Sequence, residues 1–293
     1  VIKIESPHTG DESRSRGPFS GNIRHPETSA LFLYLNTNKL GITLDINTSG
    51  GKEKFKKLIT NADILVEDSP PNSMKDLGLD WSILHKINPG LVMTSITPFG
   101  NSGPYANYKS YPLNSFQSSL SGHLTPLGSP HITRGPLKSG GMLGEYGCGQ
   151  SAAIAAMAAL MSQRITGRGQ HIDMSKQEVL LAFQRTVVAQ HPNEGVSESR
   201  LSKKTGGLEY VLPCKDGHFV FQIHRDNIWQ AMVKLMGHPE WARSVEYEKA
   251  ASRLKHYEKE IRPKIIEWAR QVTRNELYHN GQAVGCSIAP VLS

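Results

Sequence analysis

The chain has 293 residues, 38% of them hydrophobic and 20% charged, with a formal net charge of +7. That composition excludes a disordered chain and suits one large or two ordinary globular domains. The basic residues are spread along the chain, which fits an anionic small molecule, or simply a solvated basic surface, better than nucleic acid. No apolar run reaches the ~18–20 residues that span a bilayer, so no membrane partner is expected. Three well-separated cysteines, Cys148, Cys214 and Cys286, form no zinc pattern and suit a reducing, cytoplasmic compartment without a metal.

Residues 1–5 (VIKIE) already read as a strand, and no initiator Met precedes them. The sequence is therefore expected to begin inside a domain. Residues 6–26 carry Pro, Gly, Ser and charges without periodicity and read as a long surface loop, a type that is often functional. Residues 31–35 are a short apolar run of open type. Residues 41–46 (GITLDI) read as a strand, and Thr48 or Ser49 caps a following helix that carries Phe55, Leu58, Ile59 and Ala62. Strands at 64–67 and 91–97 flank a short helix at 82–87. Strands alternating with helices predict a parallel sheet covered on both faces, in a Rossmann-like arrangement. Ligands bind beyond the carboxyl ends of such strands, here Glu67-Asp68-Ser69-Pro70 and Pro98-Phe99-Gly100. Neither GxGxxG nor GxxxxGK[ST] is present, which argues against dinucleotides and P-loop nucleotides.

Residues 105–131 mix Tyr, Pro, Ser and Gly and are expected to wrap the face of the sheet. Residues 139–161 (SGGMLGEYGCGQSAAIAAMAALM) join a glycine-rich approach to an alanine-rich helix. The run is apolar on every side, so the helix is expected to be buried. Glu145 sits where the glycines meet the helix. Helix rules alone make it a first-turn acid favoured by the dipole; the sharper reading is a reactive carboxylate in a backbone-lined site. Cys148 fits a small core residue better than a nucleophile. A turn at 167–170 leads into a strand at 171–174 and a helix at 175–190. Residues 191–207 read as a linker. Residues 208–293 read as a smaller α/β domain, with strands near 210–213, 218–223 and the chain end, and helices near 227–236 and 257–272.

Several segments in order resemble the class III CoA-transferase family, of formyl-CoA transferase, carnitine CoA-transferase and α-methylacyl-CoA racemase type. They are VIKIE, LNTNKLGITLDINTSGGKEKFKKLITNADILVE, LGLDWSILHKINPGLVMTSITPFG, GPLKSGGMLGEYGCGQSAAIAAMAALM, TGRGQHIDMSKQEVLL, CKDGHFVFQIHRDNIWQAMVKLMGHPEWA and SIAPVLS. The resemblance implies a large Rossmann-like CoA-binding domain over residues 1–190, the linker, and a small domain over 208–293. It also implies an interlocked-ring homodimer and a sequence incomplete at both ends. The substrates implied are coenzyme A or acyl-CoA and a carboxylic acid.

By the same resemblance Glu145 stands where the family has a catalytic Asp, and would carry the acyl and CoA intermediates. Tyr111 matches an active-site tyrosine. Lys39, Leu44 and Lys109 match ligand-side positions, and Asp68 and Ser69 occupy the CoA-binding turn, where the family usually reads Asn-Phe. The glycine-rich flap of some members is reduced to Gly206-Gly207. Two rival readings remain. One is a racemase or isomerase that abstracts the α-proton of an acyl-CoA, although the position of that branch's His reads Thr125, with His123 two residues away. The other is a CoA-binding relative without catalysis.

Overall fold

Short runs rich in Ile, Val and Thr form the strands of a first unit, which takes in Val1–Pro126 and Thr133–Ser199. The computed structural model describes residues 1–126, 133–200, 211–222 and 225–292. Strand β1 (Ile2–Glu5) pairs in parallel with β2 (Leu40–Thr43), Ile2 opposite Leu40 and Glu5 opposite Thr43. A second parallel sheet has the order β3 (Ile64–Glu67), β4 (Val92–Thr97), β5 (His171–Ser175), with Glu67 opposite Ser95 and Thr97 opposite Ser175. A single sheet is what the alternation predicts; two are found. Side-chain packing joins them rather than a backbone ladder. Ile4, Leu44 and Ile46 lie against a core of Phe55, Ile59, Met74, Leu79, Leu84, Leu91 and Met93.

The helices of this unit start where the chain supplies caps. Ser29 caps α1 (Ala30–Leu35), which settles the type of the apolar run there. Thr48 Oγ1 accepts from the Gly51 N–H at 3.0 Å and opens α2 (Ser49–Ile59). Such a cap contributes about 1 kcal/mol. Helices α3 (Ser73–Asp76) and α4 (Trp81–Ile87) lead into β4, and α5 (Pro112–Ser118) follows it. The long α6 (Leu143–Thr166) ends on Gly167, whose φ of +71° is a left-handed cap. At Gly169 a Cβ would overlap the Leu91 carbonyl, so only glycine lets the chain pass into β5. The helix expected over 175–190 is two helices, α7 (Lys176–Phe183) and α8 (Arg185–Glu194), broken at Gln184.

The burial expected for α6 is only half right. Its small residues Gly144, Gly147, Cys148, Ala152, Ala156 and Ala159 face inward. Its large ones face out: Ile154, Met157, Met161 and Ile165 are 71, 54, 66 and 87% exposed. Small side chains let this helix approach α7 and β4 closely, and the bulky apolar side is left over.

Beyond Ser199, an antiparallel sheet of order β6 (Val211–Cys214), β7 (Gly217–Phe221), β8 (Ile288–Pro290) forms the second unit. Its helices are α9 (Asp226–Leu235), α10 (Ala250–His256), α11 (Arg262–Ala269) and α12 (Arg274–Ala283). The helix expected over 257–272 opens as a π-turn at Tyr257–Ile261. Pro263 has no N–H for the Lys259 carbonyl, and the chain widens there. Leu212, Phe219, Phe221, Trp229, Met232, Ile261, Ile265, Leu277 and Ile288 form its core. The strand expected to reach 223 ends at Phe221; residues 201–207 of the expected linker, with Gly206 and Gly207, lie outside the described residues.

Candidate active site

Four elements of the first unit converge on the first turn of α6. Helix α7 is fixed to the carboxyl end of β5, with Ser175 as its cap and the Gln177 N–H donating to Pro98 O at 3.1 Å. Cys148 Sγ lies 3.7 Å from Lys176 O, which seats α6 on the same end of the sheet. From α5, Phe116 comes within van der Waals reach of Gly144, as does Leu180 of α7. At Gly147 a Cβ would press on the Phe183 ring, so the glycines on this face admit α7. The loop after β4 is tied down by Asp173, which accepts from the Asn101 N–H at 2.9 Å and from its side-chain amide at 2.9 Å.

Glu145 lies in this first turn, half-buried. Its carboxylate has no hydrogen bond or ion pair among the described residues. The glycine approach is held from behind, since Lys138 Nζ donates to Ser139 O at 2.8 Å and to Gly141 O at 2.7 Å. Gly141 has φ +60°, a conformation that glycine adopts without strain. Cys148 is buried, and burial pushes its thiol up to about 11. A thiol held protonated is a poor nucleophile, which leaves the Glu145 carboxylate as the candidate reactive group of this turn.

The expected ligand-side residues are spread over the unit. Tyr111 is the exposed residue before α5, and its N–H donates to Asn114 Oδ1 at 3.1 Å. That places it on the element whose Phe116 adjoins Gly144. Lys109 is exposed in the loop just before it. Asn72 Nδ2 donates to Asn107 Oδ1 at 2.9 Å and draws the turn after β3 toward the Lys109 loop. Asp68 is exposed in that turn, while the Ser69 N–H is occupied by Glu67 Oε2 at 2.9 Å. Leu44 follows β2 at its carboxyl end and packs on the core. Lys39 precedes the same strand, roughly 16 Å away along an extended chain. Its Nζ donates to Leu35 O at 2.8 Å and Asn36 Oδ1 at 3.1 Å, at the end of α1. The Asn72–Asn107 hydrogen bond thus ties the loops of Tyr111, Lys109, Asp68 and Ser69 together, while Lys39 and Leu44 lie at opposite ends of β2. His123 is exposed and makes no hydrogen bond or ion pair among the described residues.

One residue escaped the sequence reading. Arg16, in the loop after β1, packs its guanidinium on Met142 Sδ at 3.9 Å, three residues before Glu145. The composition of residues 6–26 flagged the loop, but nothing in one sequence links positions 126 residues apart.

No group of three or more His, Cys, Asp or Glu among the described residues is arranged to hold a metal. No described helix is long and apolar enough to cross a membrane.

The whole chain, residues 1–293, matches the description of CoA-transferase family III. It is 32% identical to a formyl-CoA:oxalate CoA-transferase of Escherichia coli O6:H1, covering all of this chain and 74% of that protein. It is 30% identical to the enzyme of the same name from Streptomyces coelicolor, covering 73% of it. Among solved structures, a CaiB/BaiF family protein from Brucella suis superposes with a TM-score of 0.76 at 28% identity, over all of this chain and 76% of that one. A hypothetical protein from Mycobacterium tuberculosis shares the fold at a TM-score of 0.80 and 22% identity, over all of this chain and 76% of that one. With its α/β fold of parallel sheets and helices, and its match from end to end, the chain belongs to CoA-transferase family III and is a transferase.

Proposed function

We propose that this protein moves CoA from an acyl-CoA donor to a carboxylic acid, with Glu145 as the covalent carrier. The observation that carries this reading is the half-buried carboxylate of Glu145, without a hydrogen bond or ion pair among the described residues, at a helix start approached through the uncrowded Gly140 and Gly141. The helix dipole favours its charged form, and no hydrogen bond or ion pair among the described residues takes up its oxygens.

The chemistry follows from the carboxylate. One oxygen of Glu145 attacks the thioester carbonyl carbon, the C–S bond breaks, and CoA thiolate leaves a mixed anhydride. The thiolate then attacks the Glu145 acyl carbon of that anhydride. The donor acid departs as carboxylate and Glu145 carries CoA as a thioester. An acceptor carboxylate attacks this thioester, expels the thiolate and forms a second anhydride. Attack of the thiolate on the acceptor's carbonyl gives the new acyl-CoA and frees Glu145. Each step passes through an oxyanion, which backbone N–H groups of the glycine turn are suited to stabilise.

In this reading the domain of residues 1–190 binds CoA, with Tyr111, Lys109, Asp68, Ser69, Leu44 and Lys39 along its path. Residues 191–207 link it to the small domain of 208–293. The protein acts as a homodimer of interlocked rings. The relatives named formyl-CoA:oxalate CoA-transferase support a small acyl donor and a small acid acceptor. The transfer reading is preferred to racemisation because His123 engages no partner among the described residues that would hold it as a proton relay.

The test is Glu145→Gln, together with trapping of the wild-type enzyme. Incubation with acyl-CoA and hydroxylamine should convert Glu145 to its hydroxamate, seen by peptide mass. The variant should lose at least about 10³-fold in kcat, as for other covalent carboxylates and nucleophiles. Turnover by the variant at the wild-type rate, or wild-type transfer with Glu145 never modified, would sink the assignment.

A further inference from the structure

A cavity of about 270 Å³ opens within the second unit, away from every residue assigned above to CoA or to catalysis. Trp229, Val233 and Ala242, all buried, give it an apolar lining. Gln230, His238, Arg243 and Glu248 bring polar side chains to it.

The backbone that carries those side chains is fixed by other groups. Helix α9 supplies Trp229, Gln230 and Val233. Past its end the chain turns back through Gly237 and His238, at φ +77° and +59°, and the His238 N–H donates to Val233 O at 2.8 Å. A 3₁₀ turn, Glu240–Arg243, then presents Ala242 and Arg243. Arg253, fully buried, donates to Tyr247 O at 2.8 Å and to Glu248 O at 2.6 Å, which anchors the segment of Glu248. A frame held in this way spares a ligand part of the cost of ordering its site.

The charges at the cavity are not matched within the chain. Among the described residues the side chains of Gln230, His238, Arg243 and Glu248 make no hydrogen bond or ion pair, so Arg243 and Glu248 share one cavity without pairing. Elsewhere in the unit Arg253 pairs with Asp226 and Arg274 with Asp216. A small anion drawn to Arg243 would meet the Glu248 carboxylate, and a small cation drawn to Glu248 would meet the Arg243 guanidinium. Like charges brought together cost affinity. A ligand that carries both signs satisfies both groups. The volume lies below the ~300–1,000 Å³ of drug-sized sites, and the apolar lining suits a short hydrocarbon group.

We propose that this cavity binds an α-amino acid with a short apolar side chain, its carboxylate on Arg243 and its ammonium on Glu248. The planar guanidinium suits the carboxylate bidentately.

The experiment is calorimetric titration of the full chain with L-alanine and L-valine. Isovalerate and isobutylamine, which are valine without its ammonium and without its carboxylate, serve as single-charge controls. L-Valine should bind saturably, one per chain, and at least about tenfold more tightly than either control. Arg243→Gln and Glu248→Gln should each weaken it by about 10- to 100-fold, as for loss of a charge-assisted hydrogen bond. Both side chains are exposed and without a partner among the described residues, so thermal unfolding of the variants should match wild type. Glu248→Gln should also bind isovalerate more tightly than wild type does, because the repelling carboxylate is gone. No saturable binding of either amino acid, a control that binds as well as valine, or unchanged valine affinity in either variant would overturn the inference. Binding is read without turnover, so the outcome does not depend on Glu145.

Discussion

The two units of this protein are finished to different degrees. The second seals its core: Trp229, Phe219, Met232, Ile261 and Ile265 are each at most 1% exposed, and few large apolar side chains remain at its surface, Val245 and Leu292 foremost. In the first unit Tyr34, Leu40, Val66, Tyr111, Leu143, Ile154, Met161 and Ile165 are all more than half exposed. An ordinary surface helix turns charges outward; α6 turns Ile and Met outward and packs Ala and Gly inward. The second unit is thus built to hold itself together. The first carries the carboxylate proposed as reactive and more apolar surface than its own fold covers, as expected of a face that meets another body.

Breaking the second unit should cost the most stability. Trp229 packs against Trp241 and Tyr247 with ring centroids 6.2 and 6.4 Å away, and the Arg253 guanidinium lies 5.6 Å from its ring. Arg253 itself is fully buried and donates to Asp226 Oδ1 at 2.6 Å and Tyr247 O at 2.8 Å. Trp229→Ala should therefore destabilise this unit by about 3–5 kcal/mol. Hydrogen exchange should show lost protection in β7 while β4 keeps its own. Equal losses in both strands would mean that the units do not differ in this way.

The outward face of α6 should behave in the opposite manner. Met161→Lys and Ile165→Lys replace side chains already 66 and 87% exposed, so the folding stability of the chain should move by less than about 0.5 kcal/mol. Burying a lysine in a dimer contact is costly, so self-association measured by sedimentation should weaken by at least about tenfold. Unchanged association in both variants would separate the stripe from the proposed dimer; a large loss of folding stability would show that the face is covered within the chain.

That stripe also marks where the sequence stops being legible. Strand–helix alternation, the Thr48 cap and the glycine turn into β5 follow from local rules, and so does the place of Glu145 at a helix start. The division of α6 into an inward small face and an outward large one does not, because both faces are apolar and only the partner surfaces tell them apart. The split of the expected sheet was hidden for a related reason: pairing between strands is set by non-local backbone contacts. Helix α12 was readable and was missed. Thr273 and Glu276 form a capping box, the Glu276 N–H donating to Thr273 Oγ1 at 3.3 Å and Glu276 Oε2 accepting from the Thr273 N–H at 2.9 Å. Its weak apolar periodicity, with Asn275, Asn280 and Gly281, masked it. At the site, the order of segments pointed to Glu145, whereas Arg16 required the fold to bring the loop after β1 to α6.

The smallest expected effect is acid loosening of the loop that carries Arg16. Burial opposes ionisation of Asp11, but hydrogen bonds from Lys3 and Ser13 outweigh it and bring its pKa from 3.8 to about 2. The Arg14 hydrogen bond lowers that of Glu5 as well. Both folded-state pKa values lie below their unfolded values, so the stability they contribute is fully present above pH ~5 and is lost progressively as pH falls, for Asp11 through about 2. Amide exchange at Ser13, whose N–H donates to Asp11 Oδ1 at 2.7 Å, should quicken over that interval. In the second unit Glu260 is also lowered, by His256 and then Tyr247, but it is a surface group whose interactions solvent screens. The β7 amides should accordingly stay protected while the loop opens. Asp11→Asn should remove the acid step at Ser13, since it replaces the group that titrates; a step that survives in this variant would assign the loosening to Glu5 alone.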